Sequence, residues 1–437
     1  GVSSFTPTTD GSSSNNNNYY SHNALFVRND QQQLHQRTSF YRRHHQSTTT
    51  TTSSSEFQLN MAVSSSIIRP IPTTQTDETH RASNEVLEGL GIPFGLRQVV
   101  LSSLCTYQKR IWIVDNSGSM AMHDGSRILS PNGKDHQAAT SSSAPCTRWA
   151  EVQETVNCHA MLAASINAPT DFRLLNPPSE GGPQSFRVGY GRHVLKDCKR
   201  VQSGLSRNSP SGQTPLASSI ATIRNEVVAM LPQLEETGRK VAIVIATDGS
   251  NHSKDNVGSS VQEAERNQDL LAAIKSLQGL PVTIVLRLCT DYGPLIGFYT
   301  VLDECLSEMR FGVDIDVIDD HESEAEEVHR QNPWLNYNLL LHRVREMGQE
   351  HVLFDVLDER PFSRLEIREF CTLLFGVQDW PVDWKEFLRA IQVIQELEKN
   401  HINPRTQKAE PWIDTGRLLA EYEWDADYDS NDSNGRR

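Results

Sequence analysis

The sequence predicts an α/β protein, with a doubly wound, mainly parallel sheet followed by a smaller all-helical region. Three observations lead there. Short apolar runs at Ile111–Val114, Lys240–Ala246 and Val282–Leu288 read as strands, and the near-continuous run ending at Ala246 suits a strand buried on both faces. Segments with apolar residues every three or four positions separate these runs, an alternation that implies right-handed crossovers and a helix-covered sheet. Beyond about residue 331 the strand-like runs stop and only helical periodicity continues.

The elements follow in order. Residues 1–83 are rich in Ser, Thr, Asn and Gln, with runs such as Asn15–Asn18 and Thr48–Thr52. Such sequence cannot bury enough apolar area to offset chain ordering, so this segment is expected to be disordered. A domain is expected over 84–330, with a helical lead-in through Leu87 and Leu90, then Leu96, Val99, Val100 and Leu104. The strand Ile111–Val114 follows. A polar stretch, 121–147, comes next. Trp149, Val152, Val156, Ala160 and Ala163 mark a helix. Short strands fit Asp171–Leu175 and Phe186–Tyr190, and a long loop fits 196–213. Ile220, Ile223, Val227 and Leu231 mark the next helix. After the strand Lys240–Ala246 come a helix through Leu270 and Leu277, a strand at Val282–Leu288, a helix at Phe298–Met309 and a strand at Val313–Ile318. The region 331–420 reads as helices only. Ser363-Arg-Leu-Glu366 is a capping box and Gly376 a helix stop, and Trp384, Phe387, Leu388, Ile391, Ile394 and Leu397 form an apolar stripe. That stripe is core in the simplest reading. Residues 421–437 form an acidic, disordered tail.

Bulk properties narrow the functions. Lys and Arg number 41 against 55 Asp and Glu, for a net charge of -14 over 437 residues. Phosphate contacts need clustered Lys and Arg, so nucleic acid is not an expected partner. No apolar run approaches the roughly 20 residues that span a bilayer, so no membrane is expected either. The seven cysteines are scattered and include no C-x-x-C pair. This argues against a zinc site or a disulfide framework and for a reducing, cytoplasmic setting. The chain begins with Gly rather than Met, which leaves open that it is a fragment, with Met61 available as an internal start.

The chemistry concentrates in three pieces. Asp115-Asn-Ser117-Gly-Ser119 leaves the first apolar strand. Gly212-Gln-Thr214-Pro-Leu216 opens a helix. Ala246-Thr-Asp248-Gly-Ser250 leaves the next buried strand. Carboxylate and hydroxyl oxygens are hard donors, the type Mg²⁺ prefers. Loops at the carboxyl ends of neighbouring strands converge where strand order reverses, so three separate loops could meet. Taken singly, each residue has an ordinary reading. Asp115 and Ser117 could satisfy loop or helix-start amides, Thr214 could cap a helix that has Pro at its first position, and Asp248-Gly249 could be a turn. His123, His136 and His252 lie on nearby loops and read as solvated histidines.

With all three pieces in order, residues 95–330 resemble the von Willebrand factor type A domain with its metal-ion-dependent adhesion site. The resemblance implies a metal site made by Asp115, Ser117, Ser119, Thr214 and Asp248, holding Mg²⁺, with Mn²⁺ or Ca²⁺ as substitutes. It implies direct ligation by Ser117 and Ser119, direct or water-bridged ligation by Thr214, and largely water-bridged roles for Asp115 and Asp248. Asn116 and Gly118 would only permit the turn. A shell of mostly neutral oxygens leaves the ion electrophilic, so an Asp or Glu of a protein partner could replace a bound water. The implied function is a metal-dependent protein-binding module, without catalysis. A regulatory or adaptor subunit of an ATP-driven complex is an alternative; the chain has no G-x-x-x-x-G-K-[ST] loop, so the motor would be another chain. A metal-assisted hydrolase is a third reading, and would need a base such as His123 or His252. The stretch 121–147 is longer than in compact members of the family and is expected to overhang the metal face.

Overall fold

The computed structural model describes residues 77–128, 143–178, 180–191, 193–249, 260–289 and 314–422. The low-complexity segment before residue 77, the expected helix at Phe298–Met309, and the tail beyond Tyr422 lie outside the described residues, as do His136, Ser250 and His252.

A six-stranded sheet organises the chain. Helices α1 (Asp77–Gly89) and α2 (Phe94–Thr106) lead into β1 (Tyr107–Val114). The polar stretch returns as an antiparallel pair, β2 (Gly125–Ile128) with β3 (Ser143–Cys146). Helix α3 (Arg148–Ser165) follows, and the Thr147 hydroxyl caps it by accepting from the Ala150 amide at 3.1 Å. Strands β4 (Thr170–Leu174) and β5 (Ser185–Val188) precede helices α4 (Val194–Ser206) and α5 (Leu216–Thr237). Gly238, at φ 63°, closes α5 in the left-handed conformation that glycine adopts without a Cβ clash. Then come β6 (Lys240–Thr247), α6 (Ser260–Lys275), β7 (Val282–Leu288) and β8 (Asp314–Ile318).

The strand order is β5-β4-β1-β6-β7-β8. Every pairing is parallel except β4 with β5. In register, Val114 lies beside Leu174 on one side and Ala246 on the other. Successive side chains of a strand point to opposite faces, and the core divides accordingly. Trp112 and Val114 of β1, with Val244 and Ala246 of β6, join a cluster that includes Val152 and Val156 of α3. Ile111 and Ile113, with Ile243 and Ile245, join a second cluster with Ile220 and Val227 of α5 and Ile274 of α6. Burying each such side chain contributes roughly 1.5–3 kcal/mol.

The remaining chain holds α7 (His321–Gln331), α8 (Leu339–Arg345), α9 (Val352–Asp355), α10 (Arg364–Phe375), α11 (Trp384–Gln395), β9 (His401–Asn403), β10 (Lys408–Glu410) and α12 (Thr415–Tyr422). Its buried residues Trp334, Leu341, Phe354, Phe370 and Phe387 belong to the same cluster as Trp112 and α3. Polar contacts reinforce that join. Glu346, fully buried, accepts from Arg343 Nη1 at 2.8 and 2.7 Å and from Arg287 Nε of β7 at 3.3 Å. Its Oε2 also lies 2.8 Å from His159 Nε2 of α3. Burial disfavours this charge, yet Arg343 and the histidines outweigh it and hold the Glu346 carboxyl well below its usual range.

Four details differ from the sequence reading. Ordered helix begins at Asp77, before Asn84. The expected loop 196–213 is mostly α4, whose buried apolar stripe is narrow, Val201 and Leu205 among polar neighbours. The region after 331 is not all-helical, because β9 and β10 pair antiparallel; strands of three residues are too short to show a period. Leu397 lies past the end of α11 and is 86 % exposed, so the apolar stripe stops earlier than its spacing suggested. The capping box at Ser363 and Glu366 and the left-handed Gly376 stop are as expected.

Candidate functional site

The carboxyl ends of β1 and β6 are neighbours, while the next strands in sequence to join the sheet lie on opposite sides, β4 beside β1 and β7 beside β6. Asp115 leaves β1 and donates its amide to the Ala246 carbonyl at 2.9 Å, so the two strand ends stay paired to their last residues. The loop after β1 then tightens. Asp115 Oδ1 accepts from the Ser117 amide at 2.8 Å, and a short 3₁₀ turn runs from Gly118 to Ala121.

The hydroxyls and carboxylates form one connected chain. Ser117 Oγ and Ser119 Oγ are 3.1 Å apart, and Ser119 Oγ donates to Asp248 Oδ1 at 3.0 Å. Asp115 Oδ2 accepts from Thr247 Oγ1 at 2.5 Å, and Thr247 Oγ1 in turn accepts from the Gly249 amide at 2.9 Å. Asp115, Ser117, Ser119 and Asp248 are all buried. Burial first, and then repulsion from Asp248, push the Asp115 carboxyl up to about 7, against the pull of hydrogen bonds from Thr247 and Ser117.

Thr214 arrives on a third loop and is half-buried. It precedes Pro215, which takes the cap position of α5, so Thr214 is not that cap. Backbone bonds bring its loop to the first one. The Ser211 amide donates to the Asn116 carbonyl at 2.8 Å and the Gly118 amide to the Gly212 carbonyl at 3.1 Å. The structure therefore joins four of the five expected residues by side-chain and amide bonds, and sets the loop of the fifth against them.

Several residues of this site carried no motif. Arg148, the first residue of α3, donates from Nη1 to Asp248 Oδ2 at 2.7 Å. Its Nε and Nη2 clamp Asp124, just before β2, at 2.7 and 2.6 Å. The guanidinium holds Asp124 by a fork of two bonds and Asp248 by a third, as its planar donors allow. Asn116 is fully buried and does more than permit a turn. Its Oδ1 accepts from the Asn176 amide at 2.7 Å and its Nδ2 donates to the Asn176 carbonyl at 3.0 Å. The position of Thr247 beside Asp248 was a legible signal. A lone Arg opening a helix, and an Asn two residues past a strand, were not.

Beside Asp124 lies an open groove of about 750 Å³, lined by His123, Ser126, Glu322, Glu326 and Arg405 among others. His123 is exposed, and residues 129–142, the middle of the stretch expected to overhang the metal face, lie outside the described residues.

The donor set fits a small hard cation. Two neighbouring ligands of an octahedral ion with bonds of about 2.0–2.1 Å stand about 3 Å apart, the separation of the two serine oxygens. Two buried carboxylates stand behind them, close enough for Asp248 to oppose the ionisation of Asp115. Among the described residues, no group of three or more His, Cys, Asp or Glu is placed to hold a metal ion. This oxygen set is of another kind, with serine hydroxyls linked to the carboxylates. Cys105, Cys158, Cys198, Cys289 and Cys371 are free thiols, and no described helix is long and apolar enough to cross a membrane. Comparison with known protein families and with curated proteins finds no match.

Proposed function

We propose that the chain is a metal-dependent protein-binding module with a type A domain architecture. In this reading the sheet is doubly wound, and residues 331–422 are an added layer on its α3 face. The strand order and the two alternating core clusters support that arrangement. The observation that carries the function is the hydrogen-bonded chain Asp115–Ser117–Ser119–Asp248, drawn from the ends of two adjacent parallel strands.

Ser117 and Ser119 would hold Mg²⁺ through their hydroxyls, with Thr214 completing the protein's share. Asp115 and Asp248 orient these hydroxyls and supply negative charge. Asp115 is itself oriented by Thr247, and Asp248 by Arg148. Mg²⁺ bound there supplies an electrophilic position, otherwise filled by water, that an Asp or Glu of a partner protein can take. His123 lines the groove beside Asp124, whose lining does not include Ser117, Ser119 or Thr214.

The test is affinity capture with the full chain and a Ser117→Ala/Ser119→Ala bait, each in Mg²⁺ and in chelator. The reading expects a set of proteins recovered only by the wild type with Mg²⁺. Recovery of the same proteins under all four conditions contradicts it.

A further inference from the structure

We infer that Asn176, two residues past the end of β4, is the positioning residue that sets the Thr214 loop against the serine loop. The inference rests on the metal-site reading above. Its grounds are three contacts that converge on one side chain and its backbone.

First, Asn116, buried between Asp115 and Ser117, holds both backbone polar groups of Asn176, at 2.7 and 3.0 Å. The serine loop thus fixes where Asn176 stands. Second, the Asn176 side chain passes this position on: its Nδ2 donates to the carbonyl of Gln213 at 2.7 Å, one residue before Thr214. Third, the loop fits closely over the amide. Gly212 is at φ +87°, and a Cβ built there would lie 3.0 Å from Asn176 Oδ1. Glycine is needed at 212 both for its backbone conformation and for its approach to Asn176.

Asn176 therefore links the loops after β1 and before α5 without being a ligand. Gln213 is exposed and Thr214 half-buried. Backbone bonds at Ser211 and Gly212 also tie this loop to the serine loop, upstream of the Gln213 carbonyl that Asn176 holds. Residues that orient metal ligands without touching the ion change metal affinity by about 10–100-fold when removed. Asn176 belongs to that class. It is only half-buried, so its substitution spares the core.

The experiment is a Mn²⁺ titration of the full chain followed by electron paramagnetic resonance. It compares wild type, Asn176→Ala, Asn176→Ser, Thr214→Ala and the Asn176→Ala/Thr214→Ala double variant. The expected result is an approximately 10-fold weaker Mn²⁺ affinity in both Asn176 variants. It also includes a Mn²⁺ line shape that matches Thr214→Ala, and a double variant no weaker than Thr214→Ala alone. The two losses must not add, because both remove the same ligand from its place. Additive losses, or unchanged affinity in a folded Asn176→Ser, overturn the positioning role while leaving the metal site intact. A wild type that binds no Mn²⁺ overturns the metal reading and this inference together.

Discussion

Glu346 offers the most direct energetic test of how the C-terminal segment is joined to the sheet. Its carboxylate has no solvent exposure and faces Arg343, Arg287, His159 and His342. Arg287 has a second partner in Glu151, whereas Arg343 makes no other ion pair among the described residues. Glu346→Gln keeps the shape but leaves the Arg343 guanidinium, itself buried, without a compensating charge. Removing one member of a buried pair costs about 3–5 kcal/mol. Against a typical total of roughly 5–15 kcal/mol, that is a large fraction. Urea unfolding followed by tryptophan fluorescence reads it, because Trp112 stacks beside His159 at 4.5 Å. Most of the cost comes from the stranded cation. Glu346→Gln/Arg343→Met should therefore lose clearly less than the sum of the two single variants. A loss under about 1 kcal/mol for Glu346→Gln, or strict additivity in the double variant, would refute the reasoning.

Three further predictions rest on single contacts. Thr247→Val preserves shape but removes a donor from buried Asp115, and urea unfolding should show a loss of about 1–3 kcal/mol; equal stability would contradict the role given to that hydroxyl. Gly189→Ala should destabilise by more than about 1 kcal/mol in the same assay, because Gly189 is at φ +75° and the new Cβ would run into the Ala168 carbonyl oxygen; a neutral effect would count against the close approach of the turn after β5 to the connection between α3 and β4. Glu366 is opposed by burial but held down to about 2 by Arg360 and Ser363. A depressed carboxyl contributes stability that is present above its unfolded value and lost as pH falls toward the folded one. The stability difference between wild type and Glu366→Gln should thus be constant above about pH 5 and shrink progressively as pH falls from there to about 2; a difference independent of pH would be the wrong outcome.

The sheet was legible because its signals are strong and local. Val241–Ala246 could hardly be anything but a buried strand, and β1 and β6 emerged as neighbours with their polar ends adjacent. Asp115 and Asp248 follow directly from strand ends and Ser117 and Ser119 lie on the loop after β1, so the sequence marks them as oxygen donors; their grouping into one site came from the resemblance to type A domains. The residues that hold them carry no such mark. Arg148 and Asp124 are 24 positions apart, Arg148 and Asp248 are 100, and Asn116 meets Asn176 across 60. Such pairings depend on which loops the topology brings together, and no local period records them. The same holds for Glu346, whose i,i+3 partner Arg343 is visible in sequence but whose contacts to α3 and β7 are not. Helix α4 was missed for a different reason: two buried apolar residues in a polar segment give too narrow a stripe.

The central claim is that Ser117 and Ser119 present their hydroxyls, 3.1 Å apart, to a divalent cation. Isothermal titration of Mg²⁺ into the full chain and into Ser117→Ala/Ser119→Ala measures it most directly. The account predicts saturable one-site binding by the wild type and its loss in the double variant, with both proteins folded. Equal Mg²⁺ affinity in the two proteins would contradict it.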